Sequence, residues 1–185
     1  SPLKMIDLRK KALPDSITIE GRAFLLNTDF RVWLDFGEKV KNKGCTLRDL
    51  LFVFKNDFPD CNFLPELLDF YRNDNATPNK DMLPYSSDTL VDYILDGEYI
   101  YASFMYDYGI DLIDIEYMHW HKFKALFLSL SENSKIKTIM SIRGYEKTPK
   151  NYDFDKEREK LKRIWSLDEL LTEEELAALE EFNNL

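Results

Sequence analysis

The chain has 185 residues, 44% hydrophobic and 14% aromatic with 13 Phe and 10 Tyr, enough apolar surface to build a core without staples or cofactors. A net charge of −9 argues against generic nucleic-acid binding. No apolar run approaches the roughly 20 residues that cross a bilayer, and Cys45 and Cys61 show neither CxxC spacing nor an adjacent histidine, so a reducing compartment is expected and a zinc or redox motif is not.

In chain order, Ser1 to Met5 lack the basic, apolar and small-residue succession of a signal peptide, and Met5 reads as a native start. Two β-favouring runs around Glu20-Gly21, following Pro14-Asp15, predict a hairpin over about 14–26. Asn27, Thr28 and Asp29 offer capping oxygens ahead of a helix from about Thr28 to Lys41 with Trp33 on its apolar stripe, mildly interrupted at Gly37. Thr46, three residues before Asp49, opens a second helix that Pro59 stops. A short helix is expected over Pro65 to Arg72, then a loop over Asn73 to Pro84.

Ser87-Asp88 caps an apolar pattern through Leu90, Tyr93, Ile94, Tyr99, Ile100, Phe104 and Met105, with a break at Gly97 and a C-cap at Gly109. Ile110 to Leu112 connects into a central helix expected over Ile115 to Leu130, apolar around much of its axis and anchored by Trp120. A helix from about Ser134 closes at Gly144, Pro149 marks a break, and charges of alternating sign from Asp153 to Trp165 predict an exposed helix held by one narrow edge. Thr172 to Glu175 forms a capping box ahead of Leu176, Leu179 and Phe182. The expected fold is mainly α: one helical domain over 1–165 with a small N-terminal β-hairpin, and an acidic, detachable C-terminal helix over 166–185 that regulates association.

Charge is arranged in blocks: +4 over 1–55, −12 over 56–118, +6 over 119–165 and −7 over 166–185. The plain reading is solvated faces and intramolecular pairs; the sharper one is complementarity between copies or with a partner, and between copies head-to-tail contacts that do not close give filaments or spirals.

His119 and His121 are the one candidate metal pair, but i, i+2 on a helix sends the rings to different sides, whereas helical ligand pairs sit at i, i+4; one buried and one exposed ring are expected. No Gly-rich phosphate loop, Gly-x-Ser-x-Gly elbow or His-Glu-x-x-His occurs. Asp111, Asp114 and Glu116 could do acid/base work or hold magnesium, although carboxylates in a connector serve far more often as caps. Lys122, Lys124, Lys135, Lys137, Arg143, Lys147 and Lys150 lie among Trp120, Phe123, Phe127 and Tyr145, but those aromatics fall at core spacings, which weighs against a nucleic-acid surface. The reading is therefore no catalytic, cofactor or metal residue and no enzyme.

From about Leu13 to Trp165 the chain resembles the phage "gene product fifteen" family of siphophages and prophages of Gram-positive bacteria. The resemblance is carried by Asn27-Thr28-Asp29-Phe30-Arg31-Val32-Trp33, by Glu98 to Phe104 with Tyr108 to Leu112, by Ile115 to Phe127, and by Leu130-Ser131 and Ile139-Met140. That family has no established enzymatic activity, and its genes commonly lie just ahead of the tail tape-measure gene. The resemblance thus implies a non-enzymatic tail assembly chaperone that guards the hydrophobic, helical tape-measure protein and helps tail-tube subunits polymerise around it, in the host cytoplasm and absent from the mature virion. Another phage protein-binding adaptor is the alternative, and a metal-dependent enzyme comes third.

Overall fold

The computed structural model describes residues 6–73, 90–146 and 152–167. They fall into two compact units, one of residues 6–73 and 112–129 and one of residues 90–111, 130–146 and 152–167. The predicted loop over Asn73 to Pro84 beyond its first residue, the Ser87-Asp88 cap, the break at Pro149 and the acidic helix of Thr172 to Phe182 lie outside the described residues. The fold is mainly α with a small two-stranded antiparallel hairpin, as the sequence predicts.

In the first unit, β1 (Ser16–Ile19) and β2 (Arg22–Leu25) pair with Ser16 opposite Leu25 and Ile19 opposite Arg22. Glu20 and Gly21 both take positive φ, 49° and 80°, which is the backbone hand that lets a two-residue loop join twisted strands. A hairpin alone is marginal. This one buries Ile17, Ile19 and Phe24, and Phe54 meets the Phe24 ring edge-on with centroids 6.4 Å apart.

Helix α1 (Phe30–Lys41) follows, with Asp29 as its N-cap and its Oδ1 accepting the Arg31 N–H. Thr46 and Asp49 form the predicted capping box, at 2.8 Å from the Thr46 N–H and 2.7 Å between side chains. They open a 3-10 helix over Leu47–Val53 rather than an α-helix reaching Pro59. The chain leaves it because the Val53 carbonyl takes the Asn27 N–H and the Lys55 N–H goes to Leu25, a pairing with the hairpin that ends helical winding. Helix α2 (Leu64–Arg72) brings Phe70 to 4.5 Å from Trp33 between centroids, and its Tyr71 covers Gly37, where a Cβ would meet the tyrosine hydroxyl at 2.5 Å.

In the second unit, α3 (Gly97–Tyr108) ends on Gly109 at φ 64°, where the Gly109 N–H returns to the Met105 carbonyl at 3.0 Å, the bond of an αL cap. The helix starts at Gly97: the preceding residues form a turn in which the Asp92 carboxylate accepts the N–H groups of Ile94 and Leu95 at 2.9 Å each, a local competitor to helical bonding. With α4 (Trp120–Leu128) belonging to the first unit, the chain returns to the second as α5 (Lys135–Arg143) and α6 (Tyr152–Ile164).

Arg143 spends its guanidinium entirely inside this unit. It makes a two-pronged pair with Asp96 at 2.6 and 2.8 Å, and it also donates to the carbonyls of Leu90 at 3.0 Å and Trp165 at 2.6 Å. Tyr99 meets the Trp165 ring edge-on, so α3, α5 and the end of α6 are gathered at one charged fork.

Trp33 and Trp120 are fully buried, and their indole N–H groups reach the carbonyls of Asn27 and Tyr71, each at 2.8 Å. Trp120→Ala is expected to destabilise by about 3–5 kcal/mol in urea denaturation, and an unchanged unfolding midpoint would show that the indole is not a core anchor. Arg143→Met is expected to lose about 3–5 kcal/mol by stranding the Asp96 carboxylate, with Arg143→Lys recovering only part because an ammonium cannot fill a planar fork; equal stability of the Lys variant and the wild type would refute that assignment.

Candidate functional site

Two features stand out from the packing: the histidine pair in the first unit and the outward face of α3 in the second. The histidines do not sit as the sequence suggests. Helix α4 begins at Trp120, not Ile115, because His119 is extended and paired with Asp29 at the start of α1. The Phe30 N–H donates to the Met118 carbonyl and the Trp120 N–H to the Thr28 carbonyl, each at 2.8 Å, leaving Asp29 bridged to His119. A contact between residues 89 apart in sequence thus overrides the helical periodicity of Ile115 to Met118.

His119 is therefore an N-cap, and its Nδ1 accepts the His121 N–H at 3.0 Å. Both rings are buried, where one buried and one exposed were expected, and their centroids lie 5.1 Å apart. His119 Nε2 reaches the Pro14 carbonyl at 2.8 Å and His121 Nε2 reaches the Phe70 carbonyl at 2.9 Å. A carbonyl only accepts, so each ring carries its proton on Nε2. Burial holds the His119 ring below its ordinary value, against the opposing pull of the Pro14 carbonyl and the Asp15 charge. These bonds give the pair a structural use.

The candidate carboxylates are dispersed in their bonding. Asp111 accepts from the Tyr101 hydroxyl at 3.1 Å, while Asp114 and Glu116 are exposed, and no group of three or more metal-type side chains gathers among the described residues. Of the basic set, Lys124 donates to the Tyr71 and Arg72 carbonyls at the end of α2, Lys135 sits over the Trp165 ring and Arg143 is inside the fork described above. Lys122 is exposed and Lys137 half-buried; Lys147 and Lys150 lie outside the described residues. The basic set is thus largely occupied with holding the fold.

Helix α3 presents a different surface. Its inward side chains are Ile100, Ser103 and Phe104, with the Ser103 hydroxyl within 3.3 Å of the Ile136 N–H of α5. Its opposite side exposes Glu98, Ala102, Met105 and Tyr106, spaced so that all four fall on one stripe, and Ile94 and Leu95 in the turn before the helix are exposed as well. Tyr106 is 86% exposed and Leu95 71%. Ile94 and Met105, members of the apolar pattern read from the sequence, are thus exposed. The signal for this surface was a helix apolar over too wide an arc for one buried face. An apolar patch of this kind, carrying Glu98 as its exposed charge, suits a protein partner.

Tyr106→Gln with Met105→Gln is expected to leave stability within about 0.5 kcal/mol of wild type, as for exposed positions free of packing duties. A clear fall in the melting temperature would mean that this face is structural.

A family model described as Bacteriophage Gp15 protein matches residues 65–170, more than half of the chain, from the start of α2 through α6. The hairpin and α1, with the Asn27 to Trp33 segment, lie ahead of the matched span. No curated protein and no solved structure matches the chain.

Proposed function

The chain belongs to the bacteriophage Gp15 family, and from that premise we propose that it is a non-enzymatic tail assembly chaperone that binds the tape-measure protein during tail assembly. The family is not known as one of enzymes. The observation that carries the reading is the exposed apolar surface of α3 and the turn before it, inside the matched span, where Leu95, Met105 and Tyr106 suit the apolar side of a long helical polypeptide. A chaperone for such a polypeptide must shield apolar helix faces that have no partner yet, and a firm helix bearing its own apolar face does this without chemistry. Tail-tube subunits are the second partner in this proposal, and the host cytoplasm, before virion completion, is its place of action.

Co-expression with the tape-measure protein tests the proposal. The wild-type chain is expected to keep that protein soluble and to co-purify with it. A Leu95→Gln, Met105→Gln, Tyr106→Gln variant is expected to lose at least tenfold in capture while melting at the wild-type temperature, since each buried aromatic or aliphatic anchor accounts for about 1–3 kcal/mol. A wild-type chain that neither solubilises nor binds the tape-measure protein sinks the chaperone reading, and full capture by the triple variant moves the contact away from α3.

A further inference from the structure

His119 occupies a position that a neutral ring fills and a charged ring cannot. Its Nδ1 is the acceptor that caps α4 through the His121 N–H, and its Nε2–H is the donor that ties the Pro14 carbonyl, just ahead of β1, to the start of that helix. Backbone pairing places Asp29, the N-cap of α1, directly across from it. Two helix N-termini therefore lie side by side, and the partial positive charge of each disfavours a cation there.

We infer that His119 is a proton-sensitive latch: its neutral form closes the junction between the N-terminal segment, the start of α1 and the start of α4, and its protonation opens that junction. A proton arriving at Nδ1 turns the acceptor into a donor facing the His121 N–H, so the cap is lost and the ring must turn or leave. When it turns, the Pro14 carbonyl loses its donor in the same step.

Asp15, next to the Pro14 carbonyl, attracts a proton to the ring. Asp29 spends Oδ1 on the Arg31 N–H and guanidinium and Oδ2 on the Met118 N–H and the same guanidinium, so its charge is largely answered by Arg31. From α4 itself the neighbour is His121, and from α2 it is the apolar ring of Phe70, 6.1 Å away between centroids. Burial outweighs the Asp15 attraction, and the ring is held below its ordinary value. The sign follows: the unfolded chain takes up a proton at about 6.5, while the folded chain resists it until a lower pH. The contribution is therefore complete above about pH 6.5 and is lost as pH falls from there toward the folded value.

The test compares wild type with His119→Asn, which keeps a capping oxygen and removes the titration. Between pH 7.5 and 5.5 the melting temperature of the wild type is expected to fall further than that of the variant, so that the gap between them narrows with acidity. The same pair compared in a His121→Gln background separates the second imidazole, 5.1 Å away between centroids, from the first. Should the variant not fold, nitrogen-15 NMR of the wild type decides alone. The His119 ring should be the Nε2–H tautomer at pH 7.5 with a midpoint below about 6.5, and exchange of the His121 amide, corrected for its intrinsic rate, should quicken along the same curve. Parallel melting profiles, a midpoint at or above the ordinary value, or a His121 amide indifferent to the titration would each overturn the latch.

Discussion

The first unit depends on one local arrangement, the antiparallel bridge between Asp29 and His119. Each residue is the N-cap of a helix, each has nearly the same backbone angles, φ −60° with ψ 136° and 138°, and each caps the N–H two residues ahead. A helix start leaves four N–H groups without helical partners, and here two starts are placed back to back so that neighbouring carbonyls and side chains take up part of that need. Arg31 then reaches from Asp29 to the carbonyls of Leu112 at 3.2 Å and Ile115 at 2.6 Å, fastening the incoming chain. With both starts set, Phe30 stacks on Phe123 at 5.0 Å between centroids and 9° between planes, and Trp120 stacks on Tyr71 at 5.2 Å. Individual caps contribute about 1 kcal/mol; the larger effect is that the bridge decides which aromatic faces meet.

The same arrangement explains what could and could not be read from the residues. Elements governed by neighbours in sequence were legible. Glu20-Gly21 gives a hairpin because positive φ is tolerated there, Thr46 and Asp49 give a capping box, and Gly109 ends α3 for the same steric reason. The start of α4 was not legible, because Ile115 to Met118 have a helical apolar spacing and it is the distant 28–31 segment that holds them out of the helix. The placement of His119 went with it. Neighbouring N–H and carbonyl groups on another strand leave no mark in local composition, so periodicity alone assigns such residues to the helix that follows them.

In the second unit, hydrogen bonds fix most of the carboxylates of residues 90–111 in place. Residues 90–111 hold five acids and no base, which suggests a negative face. Four of the five are turned to internal duties: Asp92 binds the N–H groups of its own turn, Asp96 pairs with Arg143, Asp107 holds the Ser131 N–H and hydroxyl, and Asp111 takes the Tyr101 hydroxyl. Glu98 remains on the exposed stripe. Asp96 is matched by the Arg143 guanidinium, whereas an N–H or hydroxyl donor orients a carboxylate without cancelling its charge, so this segment keeps its acidic character beside the apolar stripe.

The consequence for binding is physical. An apolar stripe holds a partner by burial and close packing, while the carboxylates of the same segment steer it by its basic groups. Such contacts gain most when the helix that makes them is already ordered, since little conformational freedom is then lost on association. Helix α3 meets that condition from behind and at both ends: Ile100 and Phe104 are buried, Gly109 closes its C-terminus, and the Arg143 fork holds Asp96 at its start. The interactions that keep α3 in place are therefore also those that leave its outer side free to be apolar, which ties the buried ion pair, a stability feature, to the recognition proposed for this helix.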